Sequence, residues 1–207
     1  MRRGSLRRFA LIGLSLMLAS GWARATTVEP PSFDELVNQS DFVVRAVVKS
    51  VVAENRLMPS GSHTIFSKVE LEVTEVIAGS APTTVVLTVL GGTFEGRELA
   101  IEGAPKFTPG DDAIFFVQGN GKQIYPLVRM MFGLYPVMKE GSTGREYMMR
   151  SDGEPLVDVS QVSREMPASS SSAQLNRQIA RAVSPAEFVT KIRAAARESH
   201  LLEHHTL

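Results

Sequence analysis

Ile65-Phe66-Ser67-Lys68-Val69-Glu70-Leu71-Glu72-Val73-Thr74-Glu75-Val76-Ile77 is the stretch that decides the fold. Val69, Leu71 and Val73 alternate with Lys68, Glu70, Glu72 and Thr74, which sets apolar groups on one face of a strand and polar groups on the other. Working outward, residues 42–52 are rich in β-branched side chains and read as the preceding strand. Residues 58–61 form the loop between the two, and Ala78-Gly79-Ser80-Ala81-Pro82 is a turn. Residues 84–90 give a third strand, closed by Gly91-Gly92. A Gly/Pro-rich stretch over residues 91–110 holds a short strand at residues 97–101. Residues 112–117 form the next strand, and Gly119-Asn120-Gly121 turns into another at residues 123–128. Residues 131–138 and 146–149 follow. Strands joined by short turns, with no helix between them, predict a mainly β fold: an antiparallel OB-like barrel with a C-terminal helical appendage.

Two places read as helix. Ser32 followed by Glu35 makes a capping box just after Pro30-Pro31, so a short helical turn is expected there. Ser184-Pro185-Ala186-Glu187 opens the one strong helix, with Ser184 as N-cap, Pro185 at the first helical position and Glu187 completing the box. Phe188, Ile192 and Ala195 line one face of it. The serine run at residues 169–172 reads as a linker. The expected organisation is a signal peptide over residues 1–25 and a β-barrel domain over 26–160. A Ser-rich linker and helical lead-in covers 161–183, and a C-terminal helix and tail covers 184–207.

The chain has 207 residues, 22 Lys and Arg against 22 Asp and Glu, and no cysteine. That length suits one domain with an appendage and can bury a sizeable core without cross-links. The absence of cysteine excludes disulfides, thiolate nucleophiles, Cys-ligated zinc or iron–sulfur clusters, and a lipid-modified N-terminal cysteine. Arg2, Arg3, Arg7 and Arg8 precede an apolar run over residues 9–19. Ala23-Arg24-Ala25 then places small residues where a signal peptidase reads. The run is short of the ~18–20 residues that span a bilayer. The expectation is a periplasmic or secreted bacterial protein with no stable membrane insertion after cleavage. Cleavage after Ala25 removes five arginines and no acid, leaving 17 basic residues against 22 acidic ones, a net charge of −5. A mildly acidic chain with scattered basic residues has no long-range pull on nucleic acid.

Catalytic apparatus is not visible. There is no Gly-x-Ser-x-Gly elbow, Ser-x-x-Lys motif or Cys/His pair, so the chain reads as a non-enzyme with no cofactor. His200, His204 and His205 sit in the last eight residues and read as a tail; His63 reads as a solvated loop side chain. Asp111-Asp112 reads as a charged turn entering a strand rather than a cation site. Gly119-Asn120-Gly121-Lys122 lacks the remaining positions of a phosphate loop and reads as a hairpin turn. Met130, Met131, Met138, Met148 and Met149 lie close in sequence. Thioethers bind Cu(I), which leaves a Met-based copper binder as one reading, with core filling as the other.

Ser40-Asp41-Phe42-Val43-Val44-Arg45-Ala46-Val47-Val48 resembles the first barrel strand of netrin-like (NTR) domains, the group that includes the tissue inhibitors of metalloproteinases. Val73-Thr74-Glu75-Val76-Ile77-Ala78-Gly79 resembles the second strand and its turn, and residues 84–90 resemble the third. Phe107-Thr108-Pro109-Gly110-Asp111-Asp112-Ala113-Ile114-Phe115-Phe116-Val117 resembles the family segment in which a Gly and an acid precede an apolar strand. The pieces follow in family order across residues 26–128. The resemblance implies an OB-like barrel and a protein partner, an exported zinc metalloprotease. In inhibitors of that group the mature N-terminal amine and carbonyl chelate the protease zinc and the second residue enters the specificity pocket. Here those roles would fall to Thr26 and Thr27, with Val28 alongside as a partner-binding residue. The family ties this segment down with disulfides, which a chain without cysteine does not have, so ordering it would cost affinity unless other contacts hold it. Two further readings stand beside this one: the copper binder, and a structural or accessory envelope protein that binds a partner through the barrel face or the C-terminal helix.

Overall fold

The structure, a computed structural model, describes residues 29–141, 143–164 and 172–204. The expected signal peptide and the expected site residues Thr26, Thr27 and Val28 lie outside the described residues. Among the described residues the protein is mainly β, 39% strand and 25% helix. In chain order the elements are α1 (Phe33–Asn38), β1 (Phe42–Leu57), β2 (His63–Gly79), β3 (Thr84–Leu90), β4 (Gly92–Phe94), β5 (Arg97–Leu99) and β6 (Asp112–Val117). A 3-10 turn (Met130–Gly133), β7 (Leu134–Lys139), β8 (Glu146–Met148), a second 3-10 turn (Val159–Ser163), α2 (Ser172–Arg181) and α3 (Pro185–His204) follow.

Six strands form one antiparallel sheet in the order β3-β2-β1-β6-β7-β8, and β4 pairs with β5 as a separate ribbon. β1 and β2 run for 16 and 17 residues, about three times a common strand length. β1 accommodates this with register shifts at Val43/Val44, Arg45/Ala46 and Val48/Ser50; such bulges bend and twist a strand. β1 continues past its expected limit at residue 52 and β2 begins before Ile65, the two paired as far as Leu57↔His63.

Each face of the sheet carries a core. Ile114 and Phe116 of β6 join Val43, Leu36 of α1, and Phe188 and Ile192 of α3 in the first. Ala113, Phe115 and Val117 of the same strand join Val44, Leu71 and Leu87 in the second. Burial on both faces is why β6 reads as an unbroken apolar run instead of an alternation. In the first core the Phe188 ring lies 5.1 Å from that of Tyr135, 6.1 Å from Phe116 and 6.0 Å from Phe33. Full burial of one such side chain is worth roughly 1.5–3 kcal/mol. The C-terminal helix therefore shares its core with the sheet. Its N-terminus is capped as the sequence reads, with Glu187 N donating to Ser184 Oγ at 3.2 Å.

No ladder joins β3 to β8 among the described residues. β8 is three residues long, and its Met148 N donates to the Val183 carbonyl at 2.8 Å. The outer edge of β3 is met instead by the turn after β6. Asn120 Nδ2 donates to Val86 O at 3.1 Å, Leu90 N to Ile124 O at 3.0 Å, and the Tyr125 hydroxyl to Leu90 O at 2.9 Å. This explains why the strand expected at residues 123–128 does not form. Its polar groups turn to β3, Pro126 offers no N–H, and one bridge, Val117↔Leu127, remains. The strand expected from residue 131 starts at Leu134, because Arg129 and Met130 take left-handed φ of 47° and 61° and lead into a 3-10 turn.

The Gly/Pro-rich stretch folds over the second core, where Ile101, Ala104 and Phe107 pack. Gly91-Gly92 makes the reversal possible. Ser67 Oγ donates to Gly91 O at 2.7 Å, and a Cβ on Gly92 would lie 2.2 Å from that same hydroxyl oxygen at a backbone φ of +127°. Gly92→Ala is therefore expected to cost about 2 kcal/mol or more, read as a fall in the urea midpoint. A midpoint equal to wild type would show that this close approach does not constrain the chain.

Candidate functional site

The site that the sequence proposes, residues 26–28, lies outside the described residues, and the structure describes the stretch that follows it in the chain. Pro31 is buried, and its carbonyl accepts a hydrogen bond from Ser163 Oγ at 3.0 Å. Ser32 begins α1 with both halves of the capping box: Ser32 N donates to Glu35 Oε2 at 2.8 Å and Glu35 N to Ser32 Oγ at 3.1 Å. Phe33 packs on Phe188, and Leu36 and Val37 are buried in the first core. Ser40 Oγ donates to Leu36 O at 2.8 Å, ending the helix. Asp41 N donates to Val117 O at 2.8 Å, and Asp41 Oδ2 accepts from Gly119 N at 2.7 Å. Asn38 Oδ1 accepts from Ser199 Oγ of α3. Residues 31–41 are thus fixed to the second 3-10 turn, to β6 and to α3 without a covalent link.

Hydrogen bonding from Ser32, its backbone N–H foremost, holds the Glu35 carboxyl below its ordinary value. A group depressed in the folded state contributes stability above its unfolded value and loses it as pH falls through the folded one.

A buried ion pair lies behind this anchor, unmarked by the sequence. Arg150 and Asp152 have side chains only 8% and 6% exposed, with Arg150 Nη2 2.9 Å from Asp152 Oδ2. That approach is off the direction of a hydrogen bond, so the oxygen gains charge neutralisation and no donor. Arg150 also donates to Gln161 O and Arg164 O, each at 2.8 Å. It thereby holds the 3-10 turn whose Ser163 holds Pro31. Tyr135 lies close by, and burial pushes its phenol above the ordinary range.

The other residues weighed from sequence have structural surroundings. Asp111 Oδ2 accepts from Thr108 N at 2.9 Å, as a turn residue does. Asp112 pairs with Arg45 at 2.6 Å, and Arg45 reaches Glu146 of β8 at 3.1 Å, so one guanidinium ties β1 to β6 and β8. His63 is exposed at the start of β2. His200 and His204 fall within α3, while His205 lies outside the described residues. Met148 is buried in the first core and Met130 packs on the second, across the sheet from each other, while Met138 is exposed. Among the described residues no group of three or more His, Asp or Glu is placed to hold a metal ion. None of their helices is long and apolar enough to cross a membrane. A search of protein-family models and of curated proteins finds no match to this chain.

Two outcomes are expected. Arg150→Ala strands a buried carboxylate and costs about 3–5 kcal/mol, read by chemical denaturation; a loss no larger than that of an exposed arginine would show the pair to be idle. Glu35→Gln keeps an acceptor for Ser32 N and removes the titration. The fall in thermal midpoint below about pH 4 should become shallower than in the wild type, and an unchanged slope would show that Glu35 is not linked to folding.

Proposed function

We propose that the protein is an exported, non-enzymatic protein-binding module that meets its partner with the segment ahead of Pro31. The observation that carries this reading is the anchoring of residues 31–41 by Ser163, the Ser32–Glu35 box and Phe188. These contacts do the work for which the NTR-like inhibitors use disulfides. They leave five residues, Thr26 to Pro30, ahead of the anchored stretch, and a short segment limits the entropy lost on binding. The partner class that follows from the resemblance is an exported zinc metalloprotease. The amine and carbonyl of Thr26 would reach the protease's zinc, Thr27 its specificity pocket, and Val28 the adjoining cleft. The zinc is the partner's, and this chain needs no cofactor of its own.

A second reading, an accessory envelope protein, is favoured by the sheet rather than by α3. The apolar face of α3 is spent on the first core, whereas Val76 and Val86 are exposed on β2 and β3. In this reading the protein binds through the barrel face and does not inhibit.

The deciding experiment titrates the mature chain from Thr26 against a zinc metalloprotease exported by the same bacterium and follows residual peptidase activity. The same titration is run with one extra residue ahead of Thr26. Inhibition by the first and not by the second is expected. Equal inhibition by both removes the chelating amine, and no inhibition with retained capture of the protease favours the sheet.

A further inference from the structure

We propose that β1 carries a self-association edge: residues 53–57 pair antiparallel with the same edge of a second copy, about a two-fold axis at Asn55. On the β6 side, strand pairing ends at Val47↔Asp112. The last backbone bonds there are Val48 N to Asp111 O at 2.9 Å and Gly110 N to Val48 O at 2.8 Å. On its other side β1 stays paired with β2 as far as Leu57↔His63. From Ser50 to Leu57 one edge of an ordered strand thus has no backbone partner among the described residues. The ends of the sheet are covered differently, β3 by Asn120 and Ile124 and β8 by Val183.

Unpaired edges are ordinarily guarded by lysine or proline. Residues 50–57, Ser-Val-Val-Ala-Glu-Asn-Arg-Leu, contain neither. Val52 and Leu57 are 58% and 62% exposed. The bulge at Val48/Ser50 turns the strand away just where β6 leaves it.

Charge selects both the occupant and the register. Centring the pair on Asn55 places Glu54 opposite the partner's Arg56 and Arg56 opposite the partner's Glu54. Ala53 then faces the partner's Leu57, and Val52 the partner's Met58. Moving the axis one residue either way sets two Glu54 or two Arg56 side chains against each other, which is unfavourable. Within one chain Glu54 already pairs with Arg56 at 2.5 Å and with Lys68 at 2.8 Å, and the Arg56 guanidinium sits 4.6 Å from the centre of the Phe66 ring, so the two-fold axis brings two such pairs together with opposite charges facing. Both side chains are therefore held before a partner arrives. A two-fold pairing uses the same patch twice and closes on itself.

The chain has no cysteine, so Asn55→Cys introduces the sole thiol. On the axis of an antiparallel pair the two Cβ atoms lie roughly 4.5–5.5 Å apart, close to what a disulfide requires. Under mild oxidation Asn55→Cys is expected to form a cross-linked dimer well ahead of Ser60→Cys, which sits at the hairpin tip. Sedimentation of the unmodified mature protein is expected to show a mass rising from one chain toward two with concentration. Glu54→Arg should weaken the dimer roughly tenfold by setting like charges opposite, and Glu54→Arg combined with Arg56→Glu should restore it. A mass of one chain at every concentration overturns the proposal, as does cross-linking of Asn55→Cys no faster than that of Ser60→Cys. The sedimentation series uses no substitution, so the outcome stands even if a variant fails to fold.

Discussion

One aromatic ring holds distant parts of this chain together. Phe188 of the C-terminal helix is buried against Phe33 near the N-terminus, Phe116 in the middle of the sheet and Tyr135 on the strand beside it. Val189, Ile192 and Ala195 of α3 are buried in the same core, whereas the ion pair Arg193–Glu75, at 2.8 Å, lies at the surface. Exposed pairs of that kind contribute little, because water screens them and long side chains must be immobilised. The ring also explains why α1 and α3 sit on the same face of the sheet: each supplies a wall to the same aromatic cluster.

The polar framework follows from that arrangement. With α1 and α3 covering one face, residues 149–164 run along the margin of the first core, where Leu156 and Val162 are buried. Arg150 organises that margin. Its guanidinium donates to two backbone carbonyls, at Gln161 and Arg164. Donating to the Asp112 carboxylate raises the Arg45 guanidinium further above an already high value, so it stays charged at any accessible pH. Arginine suits both places, since a planar fork of donors satisfies several acceptors at once. In a chain without disulfides, these two guanidiniums cross-link strands and turns that the hydrophobic cores alone leave separate.

Elements set by local chemistry were legible in the sequence. The Ser32–Glu35 box, the Ser184 cap, the alternation of Val69 and Leu71, and the Gly91-Gly92 reversal each declare themselves within a few residues. The NTR-like resemblance concerned the same stretches and gave a role to Thr26–Val28. What was not legible depends on partners far along the chain. Residues 123–128 have the composition of a strand, yet Ile124 and Tyr125 bond to Leu90 of β3, more than thirty residues earlier. Arg150 and Asp152 look like ordinary turn charges, and nothing local shows that the chain folds over them. The extension of β1 to Leu57 was missed for the opposite reason. Glu54, Asn55 and Arg56 have weak strand preference, and the hairpin register with β2 carries them into the ladder regardless.

The strand order has a consequence for the growing chain. β1 pairs on one side with β2, its neighbour in sequence, and on the other with β6, which begins only at Asp112. During synthesis the β1–β2–β3 meander is complete before any of β6 has left the ribosome. Until then Val44 and Ala46 have no roof and one flank of β1 is open along its whole length. Pairing so distant in sequence is slow because loop closure comes before its reward. The nascent meander is therefore the form of this protein most in need of a chaperone.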